Sequence, residues 1–253
     1  MLRSRFAPTP SGYLHAGNLA NFQRIRRWMN ECQGEVLLRI DDMDGPRARP
    51  DYIERIFVDL EEAGLTWELG PRTAEEHLSQ YSQRLRVDDY KQALLEWGGS
   101  GLLYLCSCSR KDKVCSCRET LLSKAELPVA LEVLESGAAQ RKYALKLKVD
   151  ESVEVVWRDK EQGLVCLDLQ QELGDFVIWR KDGIPAYQWV SLLEDCWQSI
   201  THIVRGEDLL ISTAAQLYLS KLCGFDFRKV QFWHHELVCD EQGQKLSKSV
   251  LSS

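Results

Sequence analysis

Two short segments near opposite ends of the chain constrain its fold more than any other feature. Residues 8–18 read PTPSGYLHAGN, which places His15 and Gly17 where a helix is expected to start. Backbone N–H groups and the dipole at a helix start favour phosphate. Residues 245–249 read KLSKS and offer two lysines as positive charges. Alone, the first is an ordinary helix start and the second a flexible polar loop. Together they favour a fold that brings both segments to one phosphate-bearing ligand.

The residue patterns between these segments predict an α/β fold with a parallel sheet. Residues 2–6 are predicted to form a short first strand, and residues 35–40 have the continuous apolar character of a buried parallel strand. Ile53, Ile56 and Leu60 recur at helical spacing. This β-α-β-α order begins a doubly wound sheet, whose ligands bind at the carboxyl ends of the strands. The other predicted elements are helices at 15–31, 80–97, 119–136 and 212–222, strands at 102–105, 143–149, 153–157, 201–205 and 230–234, and a hairpin at 176–189 that delivers Tyr187.

We therefore expect a Rossmann-type catalytic domain whose two halves span residues 1–105 and 191–253. An inserted α+β subdomain is expected between them, over residues 106–190. The 253-residue chain has no apolar run of membrane-spanning length and no signal-like start, so we expect a cytoplasmic protein. Its net charge of −6 does not indicate a nucleic-acid binder. Any RNA contact would use basic runs such as Arg24 to Arg27 or Arg141 and Lys142, which otherwise form a solvated surface.

Four of the nine cysteines cluster as two Cys-Ser-Cys pairs at the start of the predicted insertion. Thiolates at such close spacing suit tetrahedral zinc in a reducing compartment. We expect one structural Zn²⁺ per chain, bound by Cys106, Cys108, Cys115 and Cys117. The alternative is a group of free surface thiols.

Polar residues follow several of the predicted strands. Arg5, Asp41, Tyr187 and Arg205 each lie at or near the end of a strand or hairpin, so all of them are expected to face one crevice. Two arginines and a carboxylate suit a small amino acid that carries an extra acidic group, because arginine binds carboxylates bidentately. Taken alone, any one of them is more often a surface ion-pair partner.

Five segments, in this order, resemble the glutamate branch of the class I aminoacyl-tRNA synthetases: RFAPTPSGYLHAGN, LRIDDMD, GDFVIWRKDGIPAYQ, ITHIVRGEDLL and KLSKS. The resemblance covers nearly the whole chain. It implies glutamate and ATP with Mg²⁺ as substrates. The implied glutamate-binding residues are Arg5, Ala7, Thr9, Asp41, Tyr187 and Arg205. The implied ATP-binding residues are Ser11, Gly17, Asn18, Ser247 and Lys248, and the implied catalytic residues are His15, Lys245 and Lys248.

The missing C-terminal half and the cysteine cluster favour the short paralogue of that branch, which attaches glutamate to queuosine at the wobble position of tRNA(Asp). The chain ends soon after KLSKS, without the helical anticodon-binding half. Asp41 stands where the branch usually has glutamate, and Asn18 where the signature has a second histidine. Cys115 stands where the paralogue has a tyrosine ligand. We expect a monomer. The alternatives are a truncated synthetase that charges the tRNA 3′ end, or a catalytically silent binding protein.

Overall fold

The computed structural model describes residues 1–45, 47–109, 115–135 and 142–237. The predicted KLSKS segment and Arg141 lie outside these ranges. In chain order the strands and helices are β1 (Arg3–Phe6), α1 (Ala16–Glu31), β2 (Glu35–Leu38), α2 (Pro50–Glu62), α3 (Ala74–Glu76), α4 (Val87–Trp97), β3 (Leu103–Cys106), α5 (Leu127–Glu135), β4 (Ala144–Leu147), β5 (Glu154–Asp159), β6 (Gly163–Asp168), α6 (Leu169–Glu172), β7 (Phe176–Trp179), α7 (Tyr187–Trp197), β8 (His202–Gly206), α8 (Leu210–Cys223) and β9 (Gln231–His235).

Parallel strands form the part of the fold that carries the candidate site. β1 pairs with β2 in parallel register, and β8 pairs with β9 in the same manner. The two pairs meet where the N–H of Thr201, just before β8, donates to the carbonyl of Arg3 at 2.9 Å. The carboxyl ends of β1, β2, β8 and β9 therefore lie along one edge, as the sequence predicts for a ligand site.

The predicted insertion contributes strands to two sheets. β5 and β6 form an antiparallel hairpin, and Asp159 at the end of β5 pairs in parallel with Phe232 of β9. β3, β4 and β7 form a separate antiparallel sheet. The β5–β6 hairpin thus extends the parallel sheet that carries the candidate site. The separate antiparallel sheet carries the cysteine cluster at the end of β3.

Two apolar clusters form the core of the described ranges. One buries Phe22, Ile25 and Met29 of α1 against Phe6 of β1 and Leu38 of β2. The other is larger and joins the antiparallel sheet to helices α4, α5, α7 and α8. Packing of α1 on the parallel strands fixes where the helix begins, and so fixes the position of His15 relative to the strand ends. No helix within the described ranges is long and apolar enough to cross a membrane.

Two predicted helices begin later than the sequence indicates. The helix predicted at 80–97 begins as α4 at Val87, because Gln83 donates its backbone N–H to Asp42 Oδ1 instead of to a helical carbonyl. The helix predicted at 119–136 begins as α5 at Leu127, directly before Pro128. Proline lacks the N–H that a helix interior needs, so it is favoured in the first turn.

The predicted hairpin at 176–189 is wrong in its second half. β7 is present, but only Pro185 pairs with Trp179, and helix α7 begins at Tyr187. Trp189 and Leu193 are buried on the same side of this helix, four residues apart. Their burial stabilises a helix where the aromatic residues Tyr187 and Trp189 favoured a strand. Tyr187 therefore reaches the site from the first turn of a helix.

Candidate active site

A cavity of about 530 Å³ opens at the carboxyl ends of the parallel strands. Its lining includes the ten described residues that were predicted to bind glutamate or ATP or to act in catalysis: Arg5, Ala7, Thr9, Ser11, His15, Gly17, Asn18, Asp41, Tyr187 and Arg205. The remaining predicted residues, Lys245, Ser247 and Lys248, lie outside those ranges. The structure thus brings together residues that are up to 200 positions apart, as Arg5 and Arg205 are.

The start of helix α1 forms one wall of the cavity. His15 is the N-cap of this helix, and its Nδ1 accepts the backbone N–H of Gly17 at 3.1 Å. In return, the His15 N–H donates to Asn18 Oδ1 at 3.2 Å, which completes a capping box. Because Nδ1 accepts, the proton of the neutral imidazole is on Nε2. The wall therefore presents an imidazole donor beside a helix start, an arrangement suited to phosphoryl oxygens.

A carboxylate that the sequence analysis did not single out organises the charges of the site. Asp195 of α7 is fully buried, and its Oδ1 accepts Arg39 Nη1 at 2.6 Å and Arg5 Nε at 2.9 Å. Its Oδ2 lies 3.4 Å from Arg5 Nη2 and 3.7 Å from Arg205 Nη2. Burial opposes ionisation of Asp195, but the three arginines outweigh it and lower the pKa of this carboxyl. Asp195 therefore neutralises part of a buried cluster of positive charge.

Arg205 differs from Arg5 in what its guanidinium contacts. Arg5 gives two of its three nitrogen atoms to Asp195, whereas Arg205 uses Nη1 to donate to Thr213 Oγ1 at 2.9 Å. Arg205 is only 3% exposed, and its Nε and Nη2 are buried without a hydrogen-bond partner. Burial lowers the pKa of Arg205. Because unpaired buried donors are costly, these two N–H groups mark a place for an acceptor in the cavity.

Asp41 lines the same cavity, three residues after the end of β2. Its Oδ1 accepts Arg39 Nε at 2.7 Å and Gln83 Nε2 at 2.9 Å. Burial raises the pKa of Asp41, and the charge of Arg39 opposes that rise. Arg39 thus bridges Asp41 and Asp195, and Asp41 is held by two side chains that the sequence analysis did not assign to the site.

Gln83 is itself fixed by the next acidic residue of the chain. Asp42 Oδ1 accepts the Gln83 backbone N–H at 2.8 Å, and Asp42 Oδ2 contacts Ser82 Oγ at 2.6 Å and His77 Nε2 at 3.0 Å. Burial raises the pKa of Asp42, but the hydrogen bonds from His77 and Ser82 outweigh it and lower the pKa. The buried Asp42 cluster therefore orients the amide that holds Asp41.

Some of the site residues that were not predicted from the sequence do have a signal in it. Asp195 interrupts an apolar stretch of α7, and a carboxylate in such a stretch must be paired when it is buried. Arg39 alternates with Asp41 along the chain, so both can face the same side of an extended segment. Asn21 and His235 also line the cavity and contact one another at 3.0 Å. No sequence pattern distinguished that pair.

The four clustered cysteines converge outside this cavity. Their Sγ atoms all lie within 4.8 Å of one another, with Cys106–Cys115 and Cys108–Cys115 at 3.6 Å and Cys108–Cys117 at 3.8 Å. A tetrahedral zinc with Zn–S bonds of about 2.3 Å places its sulfurs about 3.8 Å apart. The donor set and the spacing therefore fit one zinc ion.

The four clustered thiols perturb one another's ionisation. A hydrogen bond with Cys115 is the main cause that raises the pKa of Cys108 to about 12. The backbone N–H of Ser107 is the main cause that lowers the pKa of Cys117 to about 7. Four thiolates this close repel one another, and a divalent cation removes the repulsion.

Comparison with known proteins identifies the family. Residues 1–252 match the model of the tRNA synthetases class I (E and Q), catalytic domain. A glutamyl-Q tRNA(Asp) synthetase of Pseudomonas paraeruginosa strain PA7 is 38% identical over 98% of this chain and 78% of that protein. The glutamyl-Q tRNA(Asp) synthetase of Pseudomonas syringae pv. tomato is 36% identical over 98% of this chain and 77% of that protein.

Solved structures agree in fold. The glutamate-tRNA synthetase of Elizabethkingia anophelis superposes with a TM-score of 0.76 at 25% identity, over 98% of this chain. The glutamate tRNA ligase of Elizabethkingia meningosepticum, solved in complex with its amino acid, gives the same values. The chain spans about half the length of these two enzymes, 52% in each case. The parallel strands and the capped helix start agree with the match over residues 1–252. The chain therefore belongs to the glutamate and glutamine branch of the class I tRNA synthetases, a family of ligases, and has their catalytic fold.

Proposed function

We propose that this protein activates glutamate with ATP and transfers the glutamyl group to queuosine at the wobble position of tRNA(Asp). The observation that carries the first half is the pair of unpartnered buried N–H groups on Arg205. A fork of two parallel donors is complementary to a carboxylate, and a neutral amide satisfies it less well. We assign the side-chain carboxylate of glutamate to this fork. Arg5 supports it with charge that Asp195 only partly neutralises.

The other polar groups of the cavity suit the rest of an amino acid. Asp41 is an acidic group of the cavity that contains Arg5 and Arg205, and we assign the substrate ammonium to it. It is one methylene shorter than the glutamate usual in this branch. Gln83 and Arg39 hold it in place, so a shorter side chain still has a fixed position. Tyr187 lies at the mouth of the cavity, 44% exposed, where it can cover the bound amino acid.

The reaction joins the α-carboxylate of glutamate to the α-phosphorus of ATP. A carboxylate oxygen forms the new O–P bond as the bond to pyrophosphate breaks, and the pyrophosphate leaves with its Mg²⁺. Charge builds on the phosphoryl oxygens during this displacement, and positioned donors stabilise it. We assign that task to His15 Nε2–H, which lies beside the positive end of the α1 helix dipole. We assign the pyrophosphate side to Lys245 and Lys248, with Ser247 as an additional donor.

We also propose that Cys106, Cys108, Cys115 and Cys117 hold a structural zinc. Closed four-thiolate sites stabilise small irregular segments that lack a core of their own. The segment is fixed on the adjacent sheet by Arg118, which pairs with Asp175 at 2.8 Å, and by Lys181, which donates to the carbonyls of Ser107 and Cys108. A folded cysteine segment is then a rigid surface next to the catalytic fold.

The queuosine acceptor is supported by the names of the Pseudomonas relatives, which match 98% of this chain. A second candidate acceptor is the tRNA 3′ end, and the superposition on two glutamate-tRNA synthetases favours it. Both acceptors use the same adenylate. They differ only in the RNA hydroxyl that attacks the carbonyl of the adenylate, which forms a glutamyl ester as the bond to AMP breaks and AMP leaves.

The acceptor is tested with radiolabelled glutamate and two altered forms of tRNA(Asp). One form lacks the 3′-terminal adenosine, and the other carries guanosine in place of queuosine. We expect the first to be glutamylated like intact tRNA(Asp) and the second not at all. The reverse pattern would assign the protein to 3′-end charging. No labelling of any form, together with no adenylate formation, would favour the silent binding protein.

A further inference from the structure

A chain of buried hydrogen bonds leads from Arg205 away from the cavity. Arg205 Nη1 donates to Thr213 Oγ1 at 2.9 Å, and Thr213 Oγ1 lies 2.8 Å from His234 Nε2. His234 Nδ1 in turn lies 2.6 Å from Asp159 Oδ2. All four residues are at most 3% exposed. The chain joins α8, β9 and β5 to the arginine of β8.

The direction of each hydrogen bond follows from the groups involved. A guanidinium only donates, so Thr213 Oγ1 accepts from Arg205 and its own hydrogen is left for His234 Nε2. His234 must then carry its proton on Nδ1, which donates to Asp159. Burial lowers the pKa of His234, in keeping with a neutral ring. Asp159 Oδ1 also accepts the backbone N–H groups of Glu161 and Gln162 at 3.0 and 3.1 Å, so the carboxylate is fixed at the end of the chain.

The Asp195 carboxylate competes with a substrate carboxylate for the Arg205 guanidinium. Its Oδ2 lies 3.7 Å from Arg205 Nη2, just beyond hydrogen-bond distance. A buried guanidinium beside a carboxylate would normally close that gap. The bond to Thr213 holds Nη1 instead, and Nε and Nη2 of this cavity-lining arginine are left without a hydrogen-bond partner.

We infer that Thr213, His234 and Asp159 form a positioning relay that keeps Arg205 available for the substrate carboxylate. The inference rests on the proposed function, because it concerns the arginine that we assign to that carboxylate. None of the three relay residues lines the cavity. They act through Arg205, and so they are expected to set the affinity and selectivity for the amino acid while leaving ATP binding unchanged.

The test uses ATP–pyrophosphate exchange with Thr213→Val, which keeps the shape of the side chain and removes the hydroxyl. A hydrogen bond to a charged group is worth about a 10- to 100-fold change in binding, so we expect the KM for glutamate to rise by about that factor. The KM for ATP should not change, and the preference for glutamate over glutamine should fall. Thr213→Ser should restore the native KM for glutamate. Ser220→Ala, on the same helix with its hydroxyl bonded to the Leu217 carbonyl, is the matched control.

A native KM for glutamate in Thr213→Val, or an equal rise for glutamate and ATP, overturns the inference. If that variant does not fold, Asp159→Asn tests the same relay. The amide removes the charge that holds His234 Nδ1–H at the end of the relay, so the KM for glutamate should rise several-fold, and an unchanged KM overturns the relay. Exchange by the native protein tests the proposed function separately.

A crystal structure of Thr213→Val tests the relay without measuring activity. We expect Arg205 Nη2 to lie within hydrogen-bond distance of Asp195 in that variant, and an unmoved Arg205 contradicts the inference.

Discussion

Replacement of Asp195 by asparagine removes the one negative charge that Arg5, Arg39 and Arg205 share. Asp195 makes contacts of 2.6 and 2.9 Å to two of these arginines and lies 3.7 Å from the third, all nearly inaccessible to solvent. Each such pair has a gross attraction of about 4 kcal/mol at an effective dielectric constant near 20. Desolvation of the charges offsets most of that sum. The measured loss when one partner of a buried ion pair is removed is about 3–5 kcal/mol, and we expect the free energy of unfolding of Asp195→Asn to fall by that amount.

Chemical denaturation at pH 7 measures this change. The matched control is Asp226→Asn, which removes the exposed ion pair with Lys229 and should leave the midpoint unchanged within error. The pH dependence gives a second test. Because the pKa of Asp195 is lowered in the folded state, its contribution is complete above the unfolded pKa of about 3.9 and is lost as the pH falls through the folded value. The difference between native and variant should therefore shrink in acid. A loss at pH 7 no larger than that of the Asp226 control would refute the role of Asp195.

Three further predictions concern the proposed chemistry. Lys248→Ala should lower kcat for adenylate formation on the order of 10²-fold with little change in the KM for glutamate, measured by pyrophosphate exchange, because the lysine meets charge that develops on the triphosphate; an unchanged kcat with a raised KM would contradict this role. Elemental analysis should find about one zinc per chain, and loss of that zinc to a chelator should expose four thiols to titration; a metal-free protein whose thiols all titrate in the native state would contradict the site. Asp41→Glu should keep glutamate preferred over glutamine and aspartate, because Arg205 and Arg5 still bind the side-chain carboxylate. A reversed order in exchange assays with the three amino acids would show that Asp41 sets the substrate.

The sequence predicted the parts of the fold that depend on local patterns. The capped start of α1 and the strands on either side of it lie close to where the residue types indicate, because capping and apolar periodicity act over a few residues. The start of α4 and the helix at Tyr187 were missed because long-range contacts decide them. Gln83 is bound to Asp42, and Trp189 Nε1 donates to the Tyr90 carbonyl at 3.0 Å.

The same distinction applies to the site. Residues at strand ends were predicted to face one crevice, and the structure brings the described ones to one cavity. The role of Asp195 depends on three arginines from three different strands or strand ends, which no local pattern reveals. The bond between Thr213 and His234 likewise joins residues 21 positions apart in α8 and β9. Charge balance inside the fold therefore had to be read from the structure.

The most direct test of the account is ATP–pyrophosphate exchange by the native protein with glutamate, ATP and Mg²⁺ and without any RNA. The cavity contains the arginine that we assign to the substrate carboxylate and the capped start of α1, so no RNA is needed to complete these groups. We expect glutamate-dependent exchange at full rate in the absence of tRNA, with little exchange for glutamine. Exchange that appears only when tRNA is added, or that does not depend on glutamate, would contradict the account.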